Sequence, residues 1–494
     1  MLFNSLSFLI FFPVCLALYM VLPAKARTFI LLAASIYFYM CWNPVYVILL
    51  AASILVTYLC ALFLPKCAKP GSRRAVLVSG LVINFGILFV FKYFNFFADS
   101  LNKILPGEIR NLDILLPVGI SFYTFQAVGY LIDVYRGDAP EKNIFRYALF
   151  VSFFPQLVAG PIERSGNLLN QIRELDKRPL MTLDDFRKGS FIMLYGYFMK
   201  MVIADRAAIL VDTVYDADHY LEYGGFSVLL AAVLFSVQIY CDFAGYTYIA
   251  IGAARMMGFK LRENFNTPYL ATGIRDFWDR WHMSLTGWFR DYLYFPLGGS
   301  RKGKARKYLN ILIVFLLSGL WHGAGWHFVF WGLLHGVLRV LEELLAPVWR
   351  KLRDVVSDTF FEGRKDEESG RVFARIVTFL TVTGCWMFFR AGSTRQAVQL
   401  IRNMFAGFGL WQLTDGSLLT LGLDAKEMNV LIVGIFIVML IDRLKNKKID
   451  VPAFFAERSE LVQAAVLLTG IMFIVIFGIY GLEYDAAAFI YFQF

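Results

Sequence analysis

The sequence predicts an all-α membrane protein that crosses the bilayer many times. Of its 494 residues, 58% are hydrophobic and 17% are charged, whereas a soluble domain is nearer one quarter charged. The apolar residues form long runs, and a helix needs about 20 of them to span the hydrocarbon. A transmembrane β-barrel would instead show short alternating segments. We therefore expect about 11 to 13 transmembrane or re-entrant helices, with boundaries uncertain by several residues.

Most of the apolar runs are long enough to be membrane-spanning helices. They occupy residues 6–22, 28–42, 45–64, 75–97, 114–134, 189–203, 226–241, 309–320, 328–340, 372–389, 428–441 and 461–481. Two shorter runs, 147–159 and 246–257, are expected to be tilted, re-entrant or parts of broken helices. The first run lacks the positive start and the cleavage site of a signal peptide, so we interpret it as a retained helix.

Basic residues orient the chain in the membrane. Clusters within 66–74, 164–188, 301–307 and 443–448 are expected on the cytoplasmic side by the positive-inside rule, which leaves the acidic loop 205–224 outside. Such loops account for the net charge of +10, so nucleic-acid binding is not expected. The six cysteines are scattered and show no metal spacing or disulfide framework.

A histidine inside an apolar run is the first candidate for chemistry. His322 lies between Trp321 and Gly323, and an ionisable ring at membrane depth usually lines a cavity or takes part in a reaction. Imidazole can also exchange a proton near neutral pH. His327 and His335 fall about 140° to either side of His322 on a helix. Because the three share no face and no HExxH motif is present, they are not expected to bind a metal.

The stretch 274–307 mixes charged and aromatic residues too densely for a lipid-facing helix. We interpret it as a re-entrant or interfacial segment that packs against protein. From the residues alone, a purely structural interface helix is the alternative. The glycines of 296–300 let the chain turn at its end.

Other polar residues interrupt the apolar runs. The segments 157–163 and 241–246 predict helix breaks that line an internal polar cavity, although each polar group could instead be a satisfied structural one. No nucleophile elbow, Walker A, Rossmann or kinase motif is present, so a covalent acyl-serine mechanism is unsupported. The interrupting residues are Gln126, Gln156, Glu163, Lys200, Asp205, Gln238, Asp242 and Arg390.

Several longer motifs, spread over most of the chain, form a specific set. They are FFPQLVAGPIER (153–164), CDFAGYTYIAIGAARMMGF (241–259), NFNTPY (264–269), FWDRWHMSLTGWFRDYLYFPLGG (277–299), SGLWHGAGW (318–326) and FFRA (388–391). With this set the chain resembles the membrane-bound O-acyltransferase family, and within it the bacterial alginate O-acetyltransferase branch.

The resemblance implies one transmembrane domain, 1–494, with its helices around a central funnel and tunnel. We expect N-terminal helices in 1–140 and a catalytic core in 141–345 that contains the re-entrant segment 274–300. A polar loop (346–370) and the C-terminal helices (371–494) would follow. The resemblance also implies a multi-pass protein of the bacterial cytoplasmic, or inner, membrane.

The resemblance further implies that His322 matches the family's catalytic histidine, and that His282 matches a second functional histidine. We expect acyl transfer from acetyl-CoA or another acyl thioester to a hydroxyl, without a bound cofactor or metal. His322 would act as general base, and His282 would orient the acceptor or stabilise the oxyanion. The residues expected to support the site or to bind the donor are Asp276, Asp279, Arg280, Trp281, Ser284, Arg290, Asp291, Trp321 and Gly323.

Acetylation of a cell-surface polysaccharide is the function that the resemblance favours. A cytoplasmic donor and an outer glycan acceptor would lie on opposite sides of the lipid bilayer, and an extracytoplasmic esterase-like acetyltransferase partner would complete the system. D-alanyl transfer to teichoic acid and peptidoglycan O-acetylation are alternatives in the same family. A glycan transporter or export channel without catalysis is the alternative from another class, but it would favour an inverted repeat, which we do not find.

Overall fold

Helices make up the regular structure of the protein. The computed structural model describes residues 1–494 except 159, 178–181, 349–350, 352–354, 356–366 and 481–494. Over these described ranges the chain forms no β-strand, and the predicted all-α polytopic fold is confirmed. Most of the predicted polar loop 346–370 and the tail 484–494 lie outside the described residues.

The helices of the first half of the chain follow the predicted apolar runs closely. Asn143 shows how a polar side chain starts one of them, because its oxygen accepts hydrogen bonds from the backbone N–H groups of Phe145 and Arg146. These helices are α1 (Leu6–Val21), α2 (Arg27–Met40), α3 (Val47–Phe63), α4 (Pro70–Leu88), α5 (Phe94–Asn102), α6 (Ile120–Arg136), α7 (Ile144–Ser152), α8 (Phe154–Leu157), α9 (Asn170–Arg173), α10 (Leu183–Tyr197), α11 (Asp205–Val214) and α12 (Gly225–Met256).

The second half begins with short helices and continues with long ones. Asp424 and Glu427 form a reciprocal capping box at the start of one long helix. The helices are α13 (Ile274–Trp278), α14 (Met283–Phe289), α15 (Lys304–His322), α16 (Trp326–Leu344), α17 (Glu367–Arg390), α18 (Thr394–Ala406), α19 (Ala425–Asn446), α20 (Val451–Ala456) and α21 (Glu460–Phe477).

Within the described part of the chain, five helical segments are long and apolar enough to cross a membrane. Four of them carry exposed Leu, Ile, Val or Phe side chains, as expected for surfaces that face lipid tails, whereas the apolar window of Gly225–Met256 is 72% buried. The total number of crossings stays a prediction, because other helices are shorter or more charged. The five segments are Pro44–Lys66, Pro70–Asn102, Gly225–Met256, Gly370–Arg390 and Glu460–Phe477.

One compact unit comprises residues 1–196 and 246–263. Within it α2 packs on α7, and both α3 and α4 pack on α6. Polar side chains join these helices inside the apolar surroundings. Ser53 donates to Asn84 (2.6 Å), and the hydroxyls of Thr57 and Tyr147 lie 2.7 Å apart. Such interhelical hydrogen bonds are typical of membrane helices, where water cannot satisfy polar groups.

The other compact unit comprises residues 197–245 and 264–484. Its central feature is the antiparallel pair α15 and α16, whose backbones are in direct contact. A Cβ atom on Gly319 would overlap the carbonyl oxygen of Phe328, and one on Gly332 would overlap that of Phe315. Small residues permit this close approach. The pair therefore holds the short turn 323–325 at a defined place, next to the last residue of α15.

One predicted helix break is confirmed and the other is wrong. The chain leaves its helix after Leu157, as the sequence 157–163 predicts. In contrast, α12 continues without interruption from Gly225 to Met256. Asp242 does not end this helix because its carboxylate is paired with the ammonium of Lys200, at 2.6 Å. The amphipathic helix α18 was not predicted, because its apolar residues form no long run.

Candidate active site

His322 is the last residue of α15, where the helix gives way to an extended Gly323. Its side chain is buried, with 2% exposed. A Cβ atom at position 323 would overlap the ring of Phe328, so glycine allows that ring to close over the turn. The α15–α16 pair thus presents His322 at its tip.

Aromatic rings surround the imidazole of His322. The ring of Trp331 meets it edge to face, with centroids 5.1 Å apart, and Phe389 does so at 5.4 Å. The neighbouring Trp321 ring lies at 5.0 Å. These low-dielectric walls strengthen any electrostatic interaction made at the imidazole. They also keep bulk water away from it.

His282 is the second histidine at this site. Its ring centroid lies 6.4 Å from that of His322, and its side chain is fully buried. The residue precedes α14 in a left-handed conformation (φ 43°), a strained geometry that clusters at functional sites. Burial lowers the pKa of His282 to about 3, and the segment that carries it lies outside the candidate membrane spans. The ring is therefore neutral near pH 7.

The immediate neighbours of His282 fix its position. The oxygen of Asn264 lies 3.0 Å from Nδ1 of His282, and the same oxygen accepts hydrogen bonds from Ser284. The ring of Phe243 packs edge-on at 4.7 Å. Trp321 contacts both histidines, and its ring centroid lies 5.8 Å from that of His282. The two imidazoles are thus parts of one buried cluster.

Further aromatic residues pack behind this cluster. The rings of Trp281 and Trp386 lie 5.1 Å apart, and Trp331 stacks on Trp386 at 5.4 Å. His335 is buried here. Its Nδ1 accepts a hydrogen bond from the indole N–H of Trp278, with 3.3 Å between the two nitrogens. It is a hydrogen-bonded packing residue. The ring of His327 is tilted by 46° against that of Phe328, with centroids 4.1 Å apart.

The predicted supporting charges fall into two groups. Asp276 and Arg280 form an ion pair of 2.6 Å, and Arg280 also binds Thr267 and Asn446. This pair ties the segment 274–300 to Thr267 and to Asn446. The other charges, Asp279, Arg290 and Asp291, are nearer the surface; Asp279 pairs with Arg275 at 3.7 Å, and Arg290 with Asp291 at 3.3 Å.

A cavity of about 350 Å³ lies between the segment 274–300 and the α15–α16 pair. Ser318, one helical turn before His322, lines it, as does Leu285 of α14. Around this cavity stand four cations and one carboxylate. They are Arg275, Arg290, Lys307, Arg339 and Asp279.

Carboxylates from outside the cavity balance part of this positive charge. Glu343 lies 2.5 Å from Lys307 and 3.7 Å from Arg339. The pairing with Lys307 is the main cause that lowers the pKa of Glu343. Since these cations are partly exposed, an anionic ligand could compete for them.

Two polar clusters lie elsewhere. Lys200 is buried between Asp205 (2.8 Å) and Asp242 (2.6 Å). In the unit that contains residues 1–196, Glu163 accepts hydrogen bonds from Arg262 N (2.6 Å) and from Asn167 (2.7 Å), and burial raises the pKa of its carboxyl to about 7. Both clusters are satisfied by protein groups, the structural alternative that the sequence left open.

The structure thus brings six of the predicted site residues into one region and leaves the others at its edge. The six are His322, His282, Trp321, Trp281, Ser284 and Gly323. The residues that sequence reasoning missed are Asn264, Phe243, Trp331 and Phe389. Asn264 begins the NFNTPY motif, which was a usable signal, whereas an aromatic wall looks like ordinary core in a sequence.

Comparison with known proteins identifies the family of this chain. The family model of the membrane-bound O-acyltransferases matches residues 142–359, which include both central histidines. A probable alginate O-acetylase of Azotobacter vinelandii is 38% identical over 84% of this chain and 80% of its own length. A peptidoglycan O-acetyltransferase of Helicobacter pylori is 34% identical over 82% of this chain and 80% of its own.

A more distant relative is a teichoic acid D-alanyltransferase of Streptococcus thermophilus. It is 28% identical over 58% of this chain and 71% of its own length. The names of all three relatives describe the transfer of an acyl group. This chain therefore belongs to the membrane-bound O-acyltransferase family and is a multi-pass membrane acyltransferase.

Proposed function

We propose that the protein moves an acetyl group from a cytoplasmic thioester, acetyl-CoA, to hydroxyls of a cell-surface polysaccharide. The observation that carries the proposal is the buried pair His322 and His282, whose ring centroids are 6.4 Å apart. Transfer from a thioester to an alcohol requires a base for the hydroxyl proton and a site that excludes water. A buried imidazole among aromatic rings supplies both.

In the proposed reaction His322 acts as the general base. It takes the proton of the acceptor hydroxyl while the hydroxyl oxygen attacks the thioester carbonyl. The carbon–oxygen bond forms, the carbon–sulfur bond of the tetrahedral intermediate breaks, and His322 returns the proton to the leaving thiolate. Two roles are open to His282. It either orients the acceptor as a hydrogen-bond acceptor or stabilises the oxyanion as a donor.

The cavity beside α15 is the proposed place of the donor. Its cations would bind the phosphates of coenzyme A, since Arg and Lys are the usual partners of phosphate. The thioester end would then reach past Ser318, toward the imidazole one turn further along the helix. Arg290 and Lys307 are the two cations that we assign to this role, and Asp276 and Arg280 hold the segment from which the cavity is built.

Two relatives support the polysaccharide side of the proposal. The first is a probable alginate O-acetylase and the second a peptidoglycan O-acetyltransferase, so the proposed acceptor is a glycan of the cell envelope. We place the protein in the bacterial inner membrane, with an extracytoplasmic esterase-like acetyltransferase as partner. D-alanyl transfer is the second candidate because a relative bears that name.

The test compares the ester content of the cell surface in four strains. These are the wild type, a deletion strain, and deletion strains that express the His322→Ala or the His282→Ala protein. Acetate released by mild base should fall to background in the deletion strain and stay low with either variant. D-alanine in place of acetate would favour the second candidate. A glycan exporter would retain its function in the His322→Ala protein.

His335→Gln is the matched control for this test. It removes another fully buried imidazole of the same unit, which accepts a hydrogen bond from Trp278 and packs against other rings. We expect it to lower the amount of folded protein while the ester formed per folded molecule stays near the wild-type value. Equal loss of ester per molecule in His322→Ala and His335→Gln would remove His322 from the mechanism.

A further inference from the structure

The side-chain oxygen of Asn264 receives three donors at once. Nδ1 of His282 lies 3.0 Å from it, the backbone N–H of Ser284 donates to it at 3.3 Å, and the Ser284 hydroxyl donates at 2.8 Å. Asn264 is itself buried, with 1% of its surface exposed. An amide oxygen with this many partners is held firmly in orientation.

The backbone donor decides which way the amide faces. A backbone N–H can only donate, so the Asn264 atom that lies opposite Ser284 N must be the oxygen. Since the same oxygen faces His282, Nδ1 of the imidazole must carry a hydrogen. In a neutral imidazole the other nitrogen, Nε2, then has no hydrogen and can only accept.

Backbone hydrogen bonds hold Asn264 and His282 next to each other. The N–H of Met283 donates to the carbonyl of Asn264 (2.9 Å), and the N–H of Asn266 donates to the carbonyl of Arg280 (2.9 Å). The left-handed conformation of His282 lies between these two bonds. A strained residue persists only where its surroundings determine it in this way.

We propose that Asn264 is a positioning residue that fixes His282 in the Nδ1–H form, which leaves Nε2 as a hydrogen-bond acceptor for a hydroxyl of the acyl acceptor. The hydrogen on Nδ1 follows from the hydrogen bonds, and the bare Nε2 follows from the neutral state of this buried ring. The role toward the hydroxyl rests on the function proposed above. This assignment decides between the two roles of His282. An Nε2 atom without a hydrogen cannot stabilise an oxyanion, so His282 holds the acceptor while His322 deprotonates the reacting hydroxyl.

A purely structural role would use the same oxygen differently. Ser284 is the second residue of α14, and Asn264 satisfies its N–H at the helix start. Loss of that bond alone would lower stability and leave the imidazole tautomer unchanged. The state of the His282 ring therefore separates the two roles.

The direct test is nitrogen NMR of the full-length protein in lipid bilayers. Histidine labelled with ¹⁵N gives distinct signals for protonated and unprotonated ring nitrogens, and His282→Gln identifies the signals of His282. We expect a protonated Nδ1 and an unprotonated Nε2 in the wild type, and loss of this single form in Asn264→Leu. A proton on Nε2 in the wild type, or an unchanged ring in Asn264→Leu, would overturn the proposal.

Asn84→Leu is the matched control. Asn84 is a buried asparagine of the other compact unit and binds Ser53 and Gly80. Its replacement should lower stability and leave the His282 signals where they are. Asn264→Asp tests rescue, because a carboxylate oxygen can accept the same three bonds and should preserve the Nδ1–H form.

A kinetic test links the tautomer to the reaction. With purified protein, acetyl-CoA and an oligosaccharide acceptor, Asn264→Leu should lower transfer about a hundredfold, as expected for a misplaced group. His282→Gln should lower it similarly, and the double variant should be no slower than either, since the two residues act as a unit. Multiplicative losses would contradict the positioning role. If the wild type transfers no acetyl group, the proposed function fails while the NMR result still decides the tautomer.

Discussion

At the scale of single residues, two of the buried ionisable groups of this protein are held by polar partners. His282 is bound by Asn264, and Lys200 lies between two carboxylates. Buried charges are expensive when a partner is removed, even where the intact pair adds little stability. The effect of a substitution at such a residue therefore depends on what is left behind.

Lys200→Met tests this dependence. It leaves Asp205 and Asp242 buried without their shared cation, and we expect the free energy of unfolding to fall by roughly 3–5 kcal/mol. Thermal unfolding of the detergent-solubilised protein measures the change. The triple variant Lys200→Met, Asp205→Asn, Asp242→Asn should recover most of the loss. Without such recovery, the loss would come from packing and not from charge.

At the scale of elements, the α15–α16 pair is what places the catalytic candidate. Glycines at 319 and 332 let the two backbones touch, and the turn 323–325 is too short to leave His322 any freedom. The apolar pattern predicts both helices, but not their ends, because charged residues at 304–307 and 342–343 extend them beyond the apolar runs.

Gly332→Leu tests this contact. The added side chain would meet the backbone of α15, and overpacking of this kind typically costs about 1–3 kcal/mol. We expect a lower unfolding temperature together with loss of transfer activity, since His322 would move. Gly384→Ala is the control because a Cβ atom there meets nothing within 4 Å, so this variant should be neutral or slightly stabilised. A Gly332→Leu protein as stable and active as the control would contradict the proposed contact.

At the scale of the whole molecule, composition and charge indicate a membrane protein, and the family indicates the transfer of an acyl group. The proposed reaction joins a cytoplasmic donor to an outer acceptor, so the two substrates need separate binding surfaces. The cation-lined cavity beside α15 is the candidate for the donor. Its specificity can be tested with a donor that lacks the nucleotide phosphates.

Arg290→Gln and Lys307→Gln should each raise the KM for acetyl-CoA at least about tenfold, the effect of one lost charged hydrogen bond. The KM for acetyl-pantetheine should change little, because that donor lacks the phosphates. Lys447→Gln, an exposed basic residue of another loop, serves as control and should behave as the wild type with both donors. Equal changes for both donors would place the phosphates elsewhere.

Much of the site was accessible from the sequence, and the reason is chemical. His322 and His282 stand out because imidazoles are rare in apolar or aromatic runs, and their motifs carry the family. Asn264 did not stand out, because an amide becomes informative only when its partners are known. Phe243, Trp331 and Phe389 were equally hidden, since aromatic residues are common throughout this chain.

Local properties of the chain, namely long apolar runs, clustered bases and a few motifs, were enough to predict a helical membrane acyltransferase and to select two histidines as its catalytic candidates. Folding alone determined that α12 is continuous, that the imidazole rings meet at 6.4 Å, and that an asparagine amide faces one of them. The first kind of property depends on neighbours along the chain, which a sequence displays. The second depends on contacts between residues far apart in the chain, which exist only once the helices have packed.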